Sequence, residues 1–287
     1  MKVIWVLENT SYKEDFYSKF NILVLLASVT QWTKYHPDDS TVLYCDELTY
    51  NLLDRIQCLN YWNQVITTNF DLNVDRKVFW ASSKLYILSL QKEPVIIIDN
   101  DSLVYDNLYK YIDKTKVYVS NLEEGKGYYP LRNDSYVRKL SIKKKWIPES
   151  VNVSFLHLPD YKFTNEYATL SIDVMQQFSR MKVPNSQYLI FAEQLLLAQM
   201  LREQNIEYRS LISTYWDCTK WDWGKEHDKG IWKYPESNQH YFHYGPLKMY
   251  YKSDDSKWHY LDYNTEIQKL KNCIGKPYIK LDFIKRK

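Results

Sequence analysis

The sequence predicts an α/β fold built on a largely parallel sheet. Two observations predict it. Short apolar runs of strand length alternate with segments of helical periodicity over the first hundred residues, the pattern left by parallel strands joined through crossover helices. The last of those runs, V-I-I-I at residues 95–98, leads straight into D-N-D at residues 99–101. In such sheets ligands gather at the carboxyl ends of the strands, where these aspartates stand.

Each element follows in order. The run at 3–7 reads as a buried first strand, broken by Asn9, Thr10 and Ser11. Phe16, Phe20, Leu23 and Ala27 recur at helical spacing, which predicts a helix over 13–35 that His36-Pro37 ends. Strands are expected at 41–44 and 64–67, with helices at 47–56 and 79–90. Past the aspartates the pattern loosens: strands at 116–120 and 151–158, helices at 171–181 and 189–204, then an aromatic-rich, weakly periodic stretch at 215–251. No repeat, low-complexity tract or Pro/Gly/Ser linker divides the 287 residues, so a single domain over 1–287 is the simplest organisation. Within it, 1–110 form one half ending at the aspartates, 111–250 a second half, and 251–287 a basic tail.

Composition narrows the function. A net charge of +3 lacks the strong basic footprint of a dedicated nucleic-acid binder. The tail is the exception, with Lys269, Lys271, Lys276, Lys280, Lys285, Arg286 and Lys287; such an end suits peripheral contact with anionic lipid or a phosphate-rich acceptor. Cys45, Cys58, Cys218 and Cys273 form no C-x-x-C pair, which argues against a structural zinc site. Glu8 interrupts the first apolar run too early for a signal peptide, and the run at 22–29 is too short to span a bilayer. A reduced, cytoplasmic protein without a transmembrane segment is expected.

Two carboxylates one residue apart, just past a buried strand, can face one cleft and bind a hard divalent cation such as Mn²⁺ or Mg²⁺. Such a cation can bridge a diphosphate and neutralise charge on a leaving group. D-x-D alone is weak, because Asp favours turns; the apolar residues on both sides strengthen it. Late in the chain, H-Y-F-H-Y-G-P-L-K at 240–248 adds an imidazole (His243, with His240 as rival), a glycine that lets backbone approach a phosphate (Gly245) and a point charge (Lys248).

With its flanks, I-I-I-D-N-D-S-L-V-Y-D-N-L resembles the D-x-D segment of GT-A glycosyltransferases, in style nearest to glycosyltransferase family 8 and its bacterial and phage relatives. Three further segments fall in that family's order. F-W-A-S-S-K-L-Y-I-L-S-L at 79–90 places Lys84 where the family has a basic residue facing the donor, more often Arg. S-V-N-V-S-F-L-H-L at 150–158 resembles the N-x-G strand, with Asn152 matching and Ser154 in place of Gly. F-A-E-Q-L-L-L at 191–197 resembles the D-Q-D helix start, with Glu193 and Gln194 matching and Leu195 in the third, usually acidic, position. The late segment resembles H-x-x-G-x-x-K-P-W, one residue shorter between His243 and Gly245 and with Met249-Tyr250 for Pro-Trp.

The resemblance implies a GT-A (Rossmann-like) nucleotide-diphospho-sugar transferase fold, with a mixed, mostly parallel sheet flanked by helices. In it 1–110 would be the nucleotide-binding half and 111–250 the donor-sugar and acceptor half. It implies a Mn²⁺- or Mg²⁺-dependent transfer of a sugar from a nucleotide donor, UDP-linked first, to a hydroxyl. The metal ligands would be Asp99, Asp101 and His243, and Asp99, Lys84, Asn152, Gly245 and Lys248 would contact the donor. Gln194 and Glu193 would stand at the reacting face, with retention favoured and inversion following if Glu193 is a general base. The base pocket is expected around Asn9 and Tyr12, with Asp46 beside it. Trp216, Trp221, Trp223 and Trp232 suit stacking on a saccharide acceptor, a surface polysaccharide before a phage DNA base. Two other classes stay open. A nucleotidyltransferase usually needs an early Gly-rich loop, and the first glycine is Gly125; a non-catalytic carbohydrate-binding protein with a degenerate transferase fold fits Ser154 and Leu195.

Overall fold

The computed structural model describes residues 1–9, 19–124, 130, 134–212, 216–217, 240–243 and 263–275. The strands are β1 (Lys2–Leu7), β2 (Ser40–Cys45), β3 (Gln64–Thr67), β4 (Val95–Ile98), β5 (Ser102–Val104), β6 (Val117–Glu124), β7 (Glu149–Leu158), β8 (Tyr208–Ser210), β9 (Trp216–Asp217) and β10 (Tyr241–His243). The α-helices are α1 (Lys19–Tyr35), α2 (Glu47–Arg55), α3 (Ser82–Ser89), α4 (Tyr161–Arg180), α5 (Gln187–Ile190), α6 (Leu196–Glu203) and α7 (Tyr263–Ile274). A mixed, mostly parallel sheet has the strand order β3-β2-β1-β4-β7-β6-β8, with β9 beside β6, and β5 pairs with β10 in a separate ladder. The chain forms two compact units: Met1–Asn69, Ile97–Lys110 and Ser237–Lys287 make the first, Phe70–Ile96 and Tyr111–Glu236 the second.

In the first unit β1 pairs in parallel with β2, and β2 in parallel with β3, through registers such as Trp5 with Leu43 and Tyr44 with Ile66. The long apolar helix α1 has no polar face: Phe20, Ile22 to Ala27, Val29 and Trp32 are all buried. A helix apolar all round is a core helix. Its polar exceptions are used, since Trp5 Nε1 on β1 donates to Ser28 Oγ at 3.0 Å. His36 ends the helix as the sequence predicts. Its ring stacks on Trp32 at 4.0 Å, its Nδ1 lies 3.2 Å from Trp32 O, and its Nε2 accepts from the Leu108 N–H at 3.0 Å. One nitrogen facing a carbonyl and the other an N–H fit one neutral tautomer.

In the second unit β6 pairs antiparallel with β7 and parallel with β8, and a register shift between Val119 and Asn121 marks a bulge at Ser120. The helix expected at 171–181 begins ten residues earlier, because Asp160 caps α4 by accepting from the Lys162 N–H at 2.8 Å. Its buried face runs from Phe163 through Tyr167, Ser171 and Val174 to Phe178; the polar residues T-N-E between Phe163 and Tyr167 hid this start. The helix expected at 189–204 is interrupted: Phe191–Leu195 form a π turn between α5 and α6.

His157 on β7 is completely buried, with Nδ1 2.9 Å from Lys116 O. Burial holds its imidazole below the usual value, outweighing the raising effect of that hydrogen bond. The unfolded chain therefore takes up a proton near pH 6.5 that the folded chain refuses. More protons on the unfolded state mean that stability falls as pH drops below that value. His157→Gln is expected to flatten this acid limb while costing about 1–3 kcal/mol at neutral pH. Urea unfolding at several pH values between neutrality and acid checks both effects.

Candidate functional site

All four residues of β4 are buried, so the chain meets its first available polar exit at Asp99. There it turns: the Ser102 N–H donates to Asp99 O at 3.1 Å. Asn100, the middle residue of D-x-D, ties the turn to the first strand by donating from Nδ2 to Val6 O at 2.9 Å. The chain then enters β5, which pairs antiparallel with β10 in the register Ser102 with His243, Leu103 with Phe242 and Val104 with Tyr241. Two further bonds lock that register. Tyr241 and Ser102 hydroxyls lie 2.8 Å apart, and the Tyr105 N–H donates to His240 O at 2.8 Å.

The ladder brings the late imidazole to the early carboxylates. His243 Nε2 lies 3.3 Å from Asp101 Oδ1, and one ligand atom from each of Asp99, Asp101 and His243 falls within 4.8 Å of the others. Asp101 and His243 are buried and Asp99 is half-buried. Ligands of an octahedral ion with bonds of about 2.1 Å stand about 3.0 Å apart when adjacent and about 4.2 Å when opposite. Two carboxylate oxygens and one imidazole nitrogen are ligands that a hard or borderline divalent cation takes, and the 4.8 Å within which they gather is slightly wider than that spacing. His240 turns elsewhere, with Nδ1 3.4 Å from Asp106 Oδ2. At the end of β1, the buried Asn9 donates its backbone N–H to Asp46 Oδ2, while Asp46 Oδ1 caps α2 through the Thr49 N–H at 2.7 Å. Tyr12, Gly245 and Lys248 lie outside the described residues, as do Trp221, Trp223, Trp232 and the tail from Lys276 onward.

In the second unit, Lys84, Asn152 and Glu193 converge on the middle of β7. The buried Lys84 ammonium stands 3.1 Å from Glu193 Oε1 and donates to Val153 O at 2.8 Å. Next to it, the buried Asn152 amide donates from Nδ2 to Glu123 Oε1 at 2.9 Å and accepts from Ser120 Oγ at 2.7 Å and from the Ser154 N–H at 3.0 Å. Glu193 and the half-buried Gln194 occupy the π turn, a distortion often found at functional positions. Tyr167 donates to Glu193 O at 2.8 Å. Burial first, and the Glu193 charge second, keep that phenol well above its ordinary pKa, so it remains a donor. Asn100, Glu123, Ser120 and Tyr241 were not singled out from the sequence. Asn100 had a signal in its place between the aspartates; Glu123 and Ser120 had none.

The fold is α/β, and at the end of β4 it carries a carboxylate–carboxylate–imidazole cluster that could hold a divalent cation. The sequence matches DUF6734, described as a family of unknown function, over residues 2–262, and the chain belongs to that family. No curated protein matches it. Its structure is similar to several solved glycosyltransferases. One is the galactosyltransferase LgtC in complex with donor and acceptor sugar analogues, with a TM-score of 0.48 and 12% identity over 96% of this chain and 95% of that one. A second is the apo form of the glycosyltransferase GlyE of Streptococcus pneumoniae TIGR4, at 0.48 and 12% over 98% of this chain and 61% of that one. A third is mouse xyloside xylosyltransferase 1, at 0.43 and 10% over 84% and 96%.

The Lys84–Glu193 pair is buried, so removing one partner strands the other charge. Lys84→Met is expected to cost about 3–5 kcal/mol, and Lys84→Met combined with Glu193→Gln to recover much of it. Urea unfolding of the two single variants and the double variant measures the coupling.

Proposed function

We propose that this chain is a divalent-metal-dependent glycosyltransferase of GT-A type that takes a nucleotide-sugar donor, UDP-linked first, and a hydroxyl acceptor on a saccharide. One observation carries the reading: Asp99, Asp101 and His243, drawn from distant parts of the sequence, present ligand atoms within 4.8 Å of one another. Asp101, His243 and Asp99 would hold Mn²⁺ or Mg²⁺, and Asp99 would also meet the ribose. The cation would supply positive charge to offset that of the donor diphosphate as the nucleoside diphosphate departs. Asn9 at the end of β1 would contribute to the base pocket, and Tyr12, Gly245 and Lys248 remain donor contacts proposed from the sequence.

On the donor-sugar side, Asn152 and Gln194 offer neutral amides to hydroxyls and to the anomeric centre. Glu193 is engaged by the Lys84 ammonium at 3.1 Å. A carboxylate so engaged is better placed to hold the π turn and its Gln194 than to take an acceptor proton, which favours retention over inversion. Catalysis is then mainly orientation and electrostatic stabilisation of the leaving group and of an oxocarbenium-like centre. The acceptor is a surface saccharide, and the reaction takes place in the cytoplasm. Among the described residues no helix is long and apolar enough to cross a membrane.

Calorimetric titration of UDP with and without Mn²⁺ tests the reading. Binding is expected only with the metal, and Asp101→Ala is expected to weaken it more than about a hundredfold with the unfolding midpoint retained. Unchanged UDP binding by Asp101→Ala would remove the metal site. Failure of UDP, GDP and CMP alike would remove the transferase. Metal-dependent binding leads on to a screen of UDP-sugars for hydrolysis.

A further inference from the structure

The connection from β6 to β7 carries Arg138, Lys139, Lys143, Lys144 and Lys145, with no acidic residue between 135 and 148. Like charges in a solvated loop ordinarily spread apart. Here the backbone gathers four of them around a pocket of about 460 Å³, lined by Arg138, Lys143, Lys144 and Lys145 with Ile142 and Trp146.

The walls of this pocket are held in place by hydrogen bonds. Lys143 Nζ donates to the carbonyls of Arg138 and Leu140, at 2.7 Å each. Asp134 Oδ1 accepts from the Tyr136 and Val137 N–H groups at 2.8 and 3.0 Å, fixing the turn that presents Arg138. Trp146 is buried and packs on Phe191 at 4.6 Å between ring centres, which anchors the far end of the loop to the core. Lys144 is paired with Glu203. Among the described residues, no carboxylate forms an ion pair with Arg138, Lys143 or Lys145. The pocket therefore concentrates about three uncompensated positive charges on a fixed frame.

We propose that this pocket is an anion site that takes a diphosphate or similarly multivalent phosphate group. The class follows from the charges. A guanidinium fork and two ammonium groups match an anion with several oxygens and more than one negative charge, whereas a single carboxylate would leave cations facing one another. The site shares no residue with the Asp99 cluster. Because its positive charge belongs to the protein, it binds without a divalent cation. The multivalent phosphate comes either from a soluble diphosphate or from phosphomonoester headgroups on an anionic lipid surface, and both present a doubly charged phosphate to the pocket.

The test uses the full chain in EDTA, where the Asp99 cluster is silent. Inorganic pyrophosphate is titrated by calorimetry, and phosphatidylcholine vesicles with and without phosphatidylinositol 4-phosphate are compared by co-sedimentation, at low and high salt. Arg138→Gln with Lys145→Gln is run beside the native chain; both side chains are exposed, so the fold is retained. Binding in either arm that weakens about tenfold in the double variant and falls with salt supports the site. Pyrophosphate binding alone identifies a soluble ligand, and vesicle binding alone a lipid headgroup. No binding in either arm overturns the proposal, as does binding that the double variant leaves unchanged, since the basic tail would then be responsible. Metal-dependent UDP binding is expected to be the same in both proteins, so failure here stands apart from failure of the transferase reading.

Discussion

Two like charges one residue apart, at the mouth of a strand with no exposed residue, repel each other, and much of the first unit compensates for it. Their ligand oxygens lie within 4.8 Å of each other and of the imidazole nitrogen. The chain offsets this by making the turn rigid and bringing an imidazole alongside. Asn100 ties the turn to Val6, and the β5–β10 ladder fixes His243 opposite Ser102. The carboxylates are thus kept close by hydrogen bonds made by their neighbours. A cation is the natural relief for such an arrangement, and the proposed chemistry follows from that need.

The second unit meets a different demand with the same economy. Glu193 is buried on a π turn and is matched by Lys84, whose ammonium also reaches Val153 O. A buried pair of this kind adds little net stability compared with apolar packing, and its use lies in fixing position. On the adjacent residue, Asn152 is held by Glu123, Ser120 and the Ser154 N–H, so its amide has one orientation. Ser154 contributes its backbone N–H to this network.

Local pattern made the strands legible and left the distant pairings hidden. The runs at 3–7, 41–44, 64–67 and 95–98 reappear as β1 to β4 because a buried strand needs only its own apolar residues to be recognised. The pairing of Ser102 with His243 joins positions far apart in the sequence, and a three-residue strand inside an aromatic-rich stretch has no periodicity to read. His240 and His243 looked alike for the same reason; only the ladder decides which one faces Asp101. The π turn was invisible because an extra residue in a helix leaves the apolar spacing nearly intact. Lys84 stands out in the sequence through the resemblance of its helix segment at 79–90, and nothing local announces Glu193 as its partner.

The first unit is discontinuous: it uses residues 1–69, resumes at 97–110 and is completed only from 237 onward. A ribosome adding residues at roughly 5–20 per second needs roughly 7–30 s between Asp101 and His243. Throughout that interval the nascent chain carries the aspartates and β5 without the strand that pairs with it, while the second unit is completed and can fold. The cluster of Asp99, Asp101 and His243 is therefore among the last features to assemble during synthesis. An unpaired strand edge waits for it in the meantime, which makes this interval the natural point for a chaperone to act or for the chain to go astray.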